Sequence, residues 1–242
     1  MISNSTAIPC LVMKLTSEFV PAAQADSRAL LVVLHGLGDS LDGWRWLPRE
    51  LGLPWMNYLL VNAPKDYWGG YSWFDLVVPR FPEEELVMSR EDVGESRARL
   101  HALLDERRAS GWPSDQTAIL GFSQGCLIAV DAGLRYPHRL AALVGISGWI
   151  HEPGQLAAER SETARLVPVL ITHGTDDPLV PIQRAELGVR RLQAAGFDVA
   201  WQVFEKAHTV AGEAEVGFIR RFLEGAFQRT PHRRPSRGAS PE

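Results

Sequence analysis

The chain has 242 residues, 45% hydrophobic and 22% charged, with a formal net charge of −4. That length suits one large α/β domain, and the mildly acidic balance argues against a nucleic-acid partner. Its two cysteines, Cys10 and Cys126, form no C-x-x-C pair, so neither a thiol-ligated metal nor a redox site is expected, and no disulfide between them.

Taken in chain order, residues 1–9 lack the basic start and apolar core of a signal peptide. No apolar run approaches membrane-spanning length, so a cytoplasmic protein without stable membrane insertion is expected. Residues 11–20 alternate loosely and read as a first strand. Residues 29–34, Ala-Leu-Leu-Val-Val-Leu, read as a strand covered on both faces. The glycine turn His35-Gly36-Leu37-Gly38-Asp39 follows, then another apolar strand at 58–61. Residues 62–88 lack clear periodicity and hold Tyr67, Trp68, Tyr71, Trp73 and Phe74. Ser89-Arg90-Glu91-Asp92 reads as a capping signal that opens a helix to about Ala109, with Val93, Leu100, Leu103 and Leu104 as its apolar stripe. A short strand at 117–120 leads into Gly121-Phe122-Ser123-Gln124-Gly125 and then a buried helix over 126–134. Further strands are expected at 140–146, 167–172 and 197–204. A helix starts at Pro181, and a last one carries Val216, Ile219, Phe222, Leu223 and Phe227.

Seven strands alternating with helices imply an α/β fold, a mostly parallel central sheet flanked by helices on both faces. No interior linker appears, so residues 1–229 are expected to form a single domain. Residues 230–242, rich in Pro, Arg, Ser and Gly, are expected to be a disordered tail.

Ser123, between strand and helix in a G-x-S-x-G pattern, has the setting of a nucleophile. A serine hydroxyl needs a base, an acid to orient that base, and donors for a developing oxyanion. The expected chain order is Ser, then Asp or Glu, then His. His208 follows the last strand and fits the base. His35 and His173 lie in His-Gly turns and His101 on a helix expected at the surface. His138 and His151 precede the acid candidates, and His232 is in the tail. No two histidines have H-x-x-x-H spacing, so no metal is expected. Asp176 and Asp177 both qualify as the acid. The backbone N–H groups of Leu37 and Gln124 are the natural oxyanion donors.

Four segments resemble one family in the right order: Leu34-His35-Gly36-Leu37-Gly38-Asp39, the Ser123 pentapeptide, His173-Gly174-Thr175-Asp176-Asp177-Pro178, and Ala207-His208. A fifth is Ser72-Trp73-Phe74-Asp75. They are similar to the serine carboxylesterases related to acyl-protein thioesterases and lysophospholipases, of the α/β-hydrolase fold, over residues 30–222. The resemblance implies Ser123 as nucleophile, Asp177 as acid, His208 as base, Leu37 and Gln124 as oxyanion donors, and no cofactor. It departs from the family at Cys126 and Ala207, where glycine is common, and at the tail.

The aromatic loop suggests a substrate wall from Trp68, Tyr71, Trp73 and Phe74, with Trp44, Trp46 and Trp149 adding to it; aromatics filling a gap over the sheet are the alternative. A serine esterase acting on small-molecule esters or acylated substrates, thioesters included, of medium acyl or aryl groups is therefore expected, as monomer or homodimer. Two readings stay open: amide or lactone hydrolysis on the same triad, and a non-catalytic ligand-binding relative.

Overall fold

The computed structural model describes residues 14–77 and 87–229. Cys10, the first residues of the expected opening strand, His232 and the tail lie outside them. In chain order the elements are β1 (Ser17–Val20), β2 (Ala29–Leu34), α1 (Leu47–Leu51), β3 (Met56–Val61), β4 (Lys65–Tyr67), β5 (Gly70–Ser72), β6 (Leu76–Val77) and β7 (Val87–Met88). After them come α2 (Arg90–Ala109), β8 (Thr117–Phe122), α3 (Gln124–Arg135), β9 (Ala142–Ile146), α4 (Pro153–Ala158), β10 (Val169–Gly174), α5 (Ile182–Ala194), β11 (Val199–Phe204) and α6 (Gly212–Gln228).

Seven strands form one sheet in the order β1-β3-β2-β8-β9-β10-β11. Only β1 runs antiparallel, pairing Ser17 with Val61; the others are parallel. The inner strands carry apolar residues on both faces because both are covered. Leu30, Val32 and Leu34 belong to the apolar cluster that includes side chains of α2, α3, α4 and α5. Leu31 and Val33 face α1 and α6 on the other side. This is the α/β-hydrolase architecture that the strand–helix alternation and the motifs imply.

Two strands run further than their apolar residues suggest. β8 continues through Gly121 and Phe122, which pair with Gly145 and Ile146. β10 continues through His173 and Gly174, which pair with Val203 and Phe204, so this pair is strand and not the expected turn. The Ser89 hydroxyl caps α2 by accepting the Asp92 N–H at 3.1 Å. His101, half-buried on the surface helix α2, donates from Nε2 to the Ala132 carbonyl at 2.8 Å, which ties α2 to α3. The segment 62–88 also holds structure that periodicity misses, the antiparallel pairs β4–β5 and β6–β7.

Among the described residues no helix is long and apolar enough to cross a membrane, and no cluster of three or more His, Cys, Asp or Glu could hold a metal. Because β2, β8, β10 and β11 are parallel, their carboxyl ends bring four loops to one edge of the sheet.

Candidate active site

Ser123 lies between the last residue of β8 and the first of α3, at φ 53° and ψ −114°. Few side-chain-bearing residues adopt that conformation. Its flanking glycines make it sterically possible. A Cβ on Gly121 would lie 2.0 Å from the Gly125 carbonyl oxygen, and one on Gly125 would lie 2.3 Å from that of Leu34. The strand can therefore turn into the helix with almost no lateral displacement. The Ser123 N–H donates to the Ile146 carbonyl at 2.9 Å, which pins the turn to β9.

His208 sits in the loop between β11 and α6. Its Nε2 is 3.0 Å from Ser123 Oγ, and its Nδ1 is 2.8 Å from Asp177 Oδ2. With Nδ1–H donating to the carboxylate, Nε2 is left to accept the serine proton. The structure thus brings Ser123, Asp177 and His208 together from the ends of β8, β10 and β11.

The choice between adjacent aspartates is made by the turn. Asp177 Oδ1 accepts the N–H groups of Leu179 and Val180, both at 2.9 Å, which aims Oδ2 at the imidazole. Asp176 instead lies at the surface and accepts the Thr175 hydroxyl. Burial pushes the Asp177 carboxyl towards the neutral form. The Val180 N–H, His208 and the Leu179 N–H outweigh it and hold the group below its ordinary value.

Two buried histidines brace the loops. His35 Nδ1 bonds the Gly36 carbonyl at 2.6 Å and its Nε2 accepts the Ala63 N–H at 3.0 Å. His173 Nε2 bonds the Val180 carbonyl at 2.9 Å. Burial lowers both pKa values and favours neutral rings; for His35 the bond accepted at Nε2 requires one.

The N–H groups of Leu37 and Gln124 have no partner among the described residues, and Gln124 opens a helix whose first N–H groups are free by construction. The Gln124 side chain carries a role that the sequence did not reveal. Its Oε1 accepts the Trp73 N–H at 3.0 Å and the Ser72 hydroxyl at 3.2 Å, while its Nε2 donates to the Phe74 carbonyl at 2.9 Å. Trp73 Nε1 then donates to the His35 carbonyl at 2.9 Å. The Leu37 turn also pairs with β5, through Gly38 N–H to the Tyr71 carbonyl and Tyr71 N–H to the Asp39 carbonyl, both at 2.9 Å.

These contacts correct the expected substrate wall. Trp73 and Phe74 are fully buried in the core and link the two candidate oxyanion segments. Trp68 stands at the β4–β5 tip, 95% exposed, and Tyr71 is half-buried.

A buried ion pair secures the His208 loop. Lys206 Nζ donates to both Glu215 oxygens, at 2.7 and 2.8 Å, and Glu215 Oε2 also accepts the Ala211 N–H at 2.7 Å. One carboxylate therefore grips the chain on both sides of His208. Burial lowers the Lys206 pKa, and the facing Glu215 carboxylate opposes that shift. Cys126, where the family commonly has glycine, is a free, buried thiol. It fits because Gly145 and Gly148 leave space: a Cβ on either would fall 2.5 Å or less from a Cys126 atom.

Residues 15–226 match the model of the phospholipase/carboxylesterase family. Acyl-protein thioesterase 1 of Schizosaccharomyces pombe is 35% identical over 185 residues, spanning 71% of this chain and 78% of that protein. The crystal structure of esterase PE8 aligns with a TM-score of 0.78 at 29% identity, over 88% of this chain and 100% of the other. Acyl-protein thioesterase 2 of Zea mays aligns with a TM-score of 0.72 at 26% identity, over 88% and 99%.

Proposed function

This chain belongs to the phospholipase/carboxylesterase family, and from that premise we propose that it is a serine esterase and acyl thioesterase working through an acyl-enzyme. The observation that carries the reading is the unbroken pair of hydrogen bonds from Ser123 Oγ through His208 to Asp177.

Ser123 Oγ attacks the acyl carbon while His208 Nε2 takes its proton. Negative charge gathers on the former carbonyl oxygen. The Leu37 and Gln124 N–H groups receive it, helped by the positive end of α3. As the tetrahedral species collapses, His208 returns the proton to the departing alcohol or thiol. Water repeats the sequence on the acyl-enzyme and frees the acid. Asp177 keeps Nδ1 protonated and stabilises the imidazolium in each half. Of the expected wall residues, Trp68 and Tyr71 are left to meet substrate, and medium acyl or aryl groups suit them. The reading includes a single domain over the described residues and a cytoplasmic monomer or homodimer. The free Cys126 thiol fits a reducing compartment. Cell fractionation and light scattering test the last two points.

A fluorophosphonate probe tests the chemistry. It should label the wild type and leave Ser123→Ala unlabelled. An unlabelled wild type that hydrolyses no member of a panel of p-nitrophenyl esters and acyl thioesters would overturn the proposal.

A further inference from the structure

The imidazole of His208 opens onto a cavity of about 560 Å³ that the triad itself does not fill. A series of rings leads from His208 into it. The Phe122 ring lies 5.0 Å from His208, Trp44 lies 5.9 Å from Phe122, and Trp46 lies 5.7 Å from Trp44, all between centroids. Trp44 Nε1 is satisfied by Asp39 Oδ2 at 3.1 Å, so Trp44 serves the cavity as an apolar ring. This packing depends on Gly43, where a Cβ would lie 2.2 Å from Asp39 Oδ1. Val210 and Val216 face the rings from the α6 side.

The charged residues that line the cavity are acidic. Asp39, Glu50 and Glu213 line it, and no lysine or arginine is among its described lining residues. Arg220 pairs with Glu213 at 3.2 Å and Arg49 with Glu50 at 3.8 Å, which leaves Asp39, fixed by the Ser40 N–H and Trp44 Nε1, as the lining carboxylate that disfavours an anion.

We propose that this cavity is the leaving-group subsite and that it takes a flat, apolar alcohol or thiol, uncharged or cationic but not anionic. The inference rests on the serine-esterase reading. When the acyl–oxygen or acyl–sulfur bond breaks, its electron pair stays on the departing atom, which collects the proton from His208 Nε2. That atom must lie within hydrogen-bond reach of the imidazole. Whatever it carries extends along His208, Thr209 and Val210, which are the near wall of the cavity. The candidate oxyanion donors Leu37 and Gln124 do not line it. Aromatic walls of this kind favour a stacked or edge-on ring over a thin alkyl chain.

Butyrate esters of ethanol, 2-phenylethanol and 2-(2-naphthyl)ethanol give the test, because these alcohols differ little in acidity. In the wild type kcat/KM should rise about tenfold or more from the ethyl to the naphthylethyl ester, as burial of a ring against rings implies. Trp46 is 37% exposed, so Trp46→Ala should fold; it should cut that ratio to about threefold or less, with Trp46→Phe retaining most of it. A carboxylate on the naphthyl ring should cancel the gain. A flat series in a wild type that hydrolyses ethyl butyrate and takes the fluorophosphonate label would overturn the subsite alone. So would a Trp46→Ala enzyme whose preference changes with acyl length and not with the alcohol, since the cavity would then hold the acyl chain. A wild type without label or esterase activity would remove the serine-esterase reading and the subsite together.

Discussion

At φ 53° and ψ −114° Ser123 sits where a side chain costs about 1–3 kcal/mol of backbone strain, and glycine does not incur it. Ser123→Gly should therefore abolish fluorophosphonate labelling and yet stabilise the fold by about 1 kcal/mol, after the extra entropy of an unfolded glycine is subtracted. Urea denaturation measures it; a lower midpoint would mean that the neighbouring bonds hold the turn at no strain. Asp177 supplies a pH signature. Its carboxyl pKa in the fold lies below the ordinary 3.8, because the bonds from Val180, His208 and Leu179 overcome the effect of burial. The ionised group thus favours the folded state above pH 3.8, and that contribution fades as the pH falls through the lower folded value. Asp177→Asn should flatten this acid limb in unfolding titrations, and kcat should fall by about 10⁴ for want of the right imidazole tautomer. Ser123 and His208 are legible in the sequence, one from its local pattern and the other from its place after the last strand. The two aspartates are not separable by spacing alone. What separates them is which carboxylate meets the N–H groups of Leu179 and Val180, and that depends on the folded turn.

The loop between β11 and α6 shows what an element needs beyond its residues. Glu215 holds it at Lys206 and at Ala211, and both side chains of the ion pair are almost wholly buried. Glu215→Gln would leave an ammonium in the interior without its counter-charge, at a cost of about 3–5 kcal/mol. Replacing both partners, as in Lys206→Met with Glu215→Leu, should recover most of that stability, since apolar substitutes for buried pairs are often neutral. Thermal unfolding of the single and double variants checks this, and equal losses in both would refute it. Neither this clamp nor the Gln124 anchor can be read from periodicity, because each joins residues whose spacing follows no helical or strand repeat. The pairs β4–β5 and β6–β7 escape detection for another reason: strands of two or three residues are too short to show an alternation. The longer elements were legible because six buried apolar residues in a row, or a capped apolar stripe, leave few alternatives.

Across the described residues every long helix contributes side chains to an apolar cluster that spans several strands of one sheet. No described segment has a core of its own. Calorimetry should accordingly record a single transition, with near- and far-ultraviolet circular dichroism coincident; separated transitions would divide the domain. The seven strands of the central sheet and their mostly parallel sense follow from the alternation of patterns. The order β1-β3-β2-β8 does not, because β2 must pair with β8, Leu30 beside Thr117, 87 residues away, while β1 crosses to an antiparallel edge. Cys126 lies at the centre of this arrangement, in the space left by Gly145 and Gly148, with its thiol pushed up to about 12 by burial. In the native molecule iodoacetamide should find it inert, so in a Cys10→Ser background the rate of alkylation becomes a clock for global opening. The same silence lets Ellman's reagent count thiols released from thioester substrates without counting the enzyme.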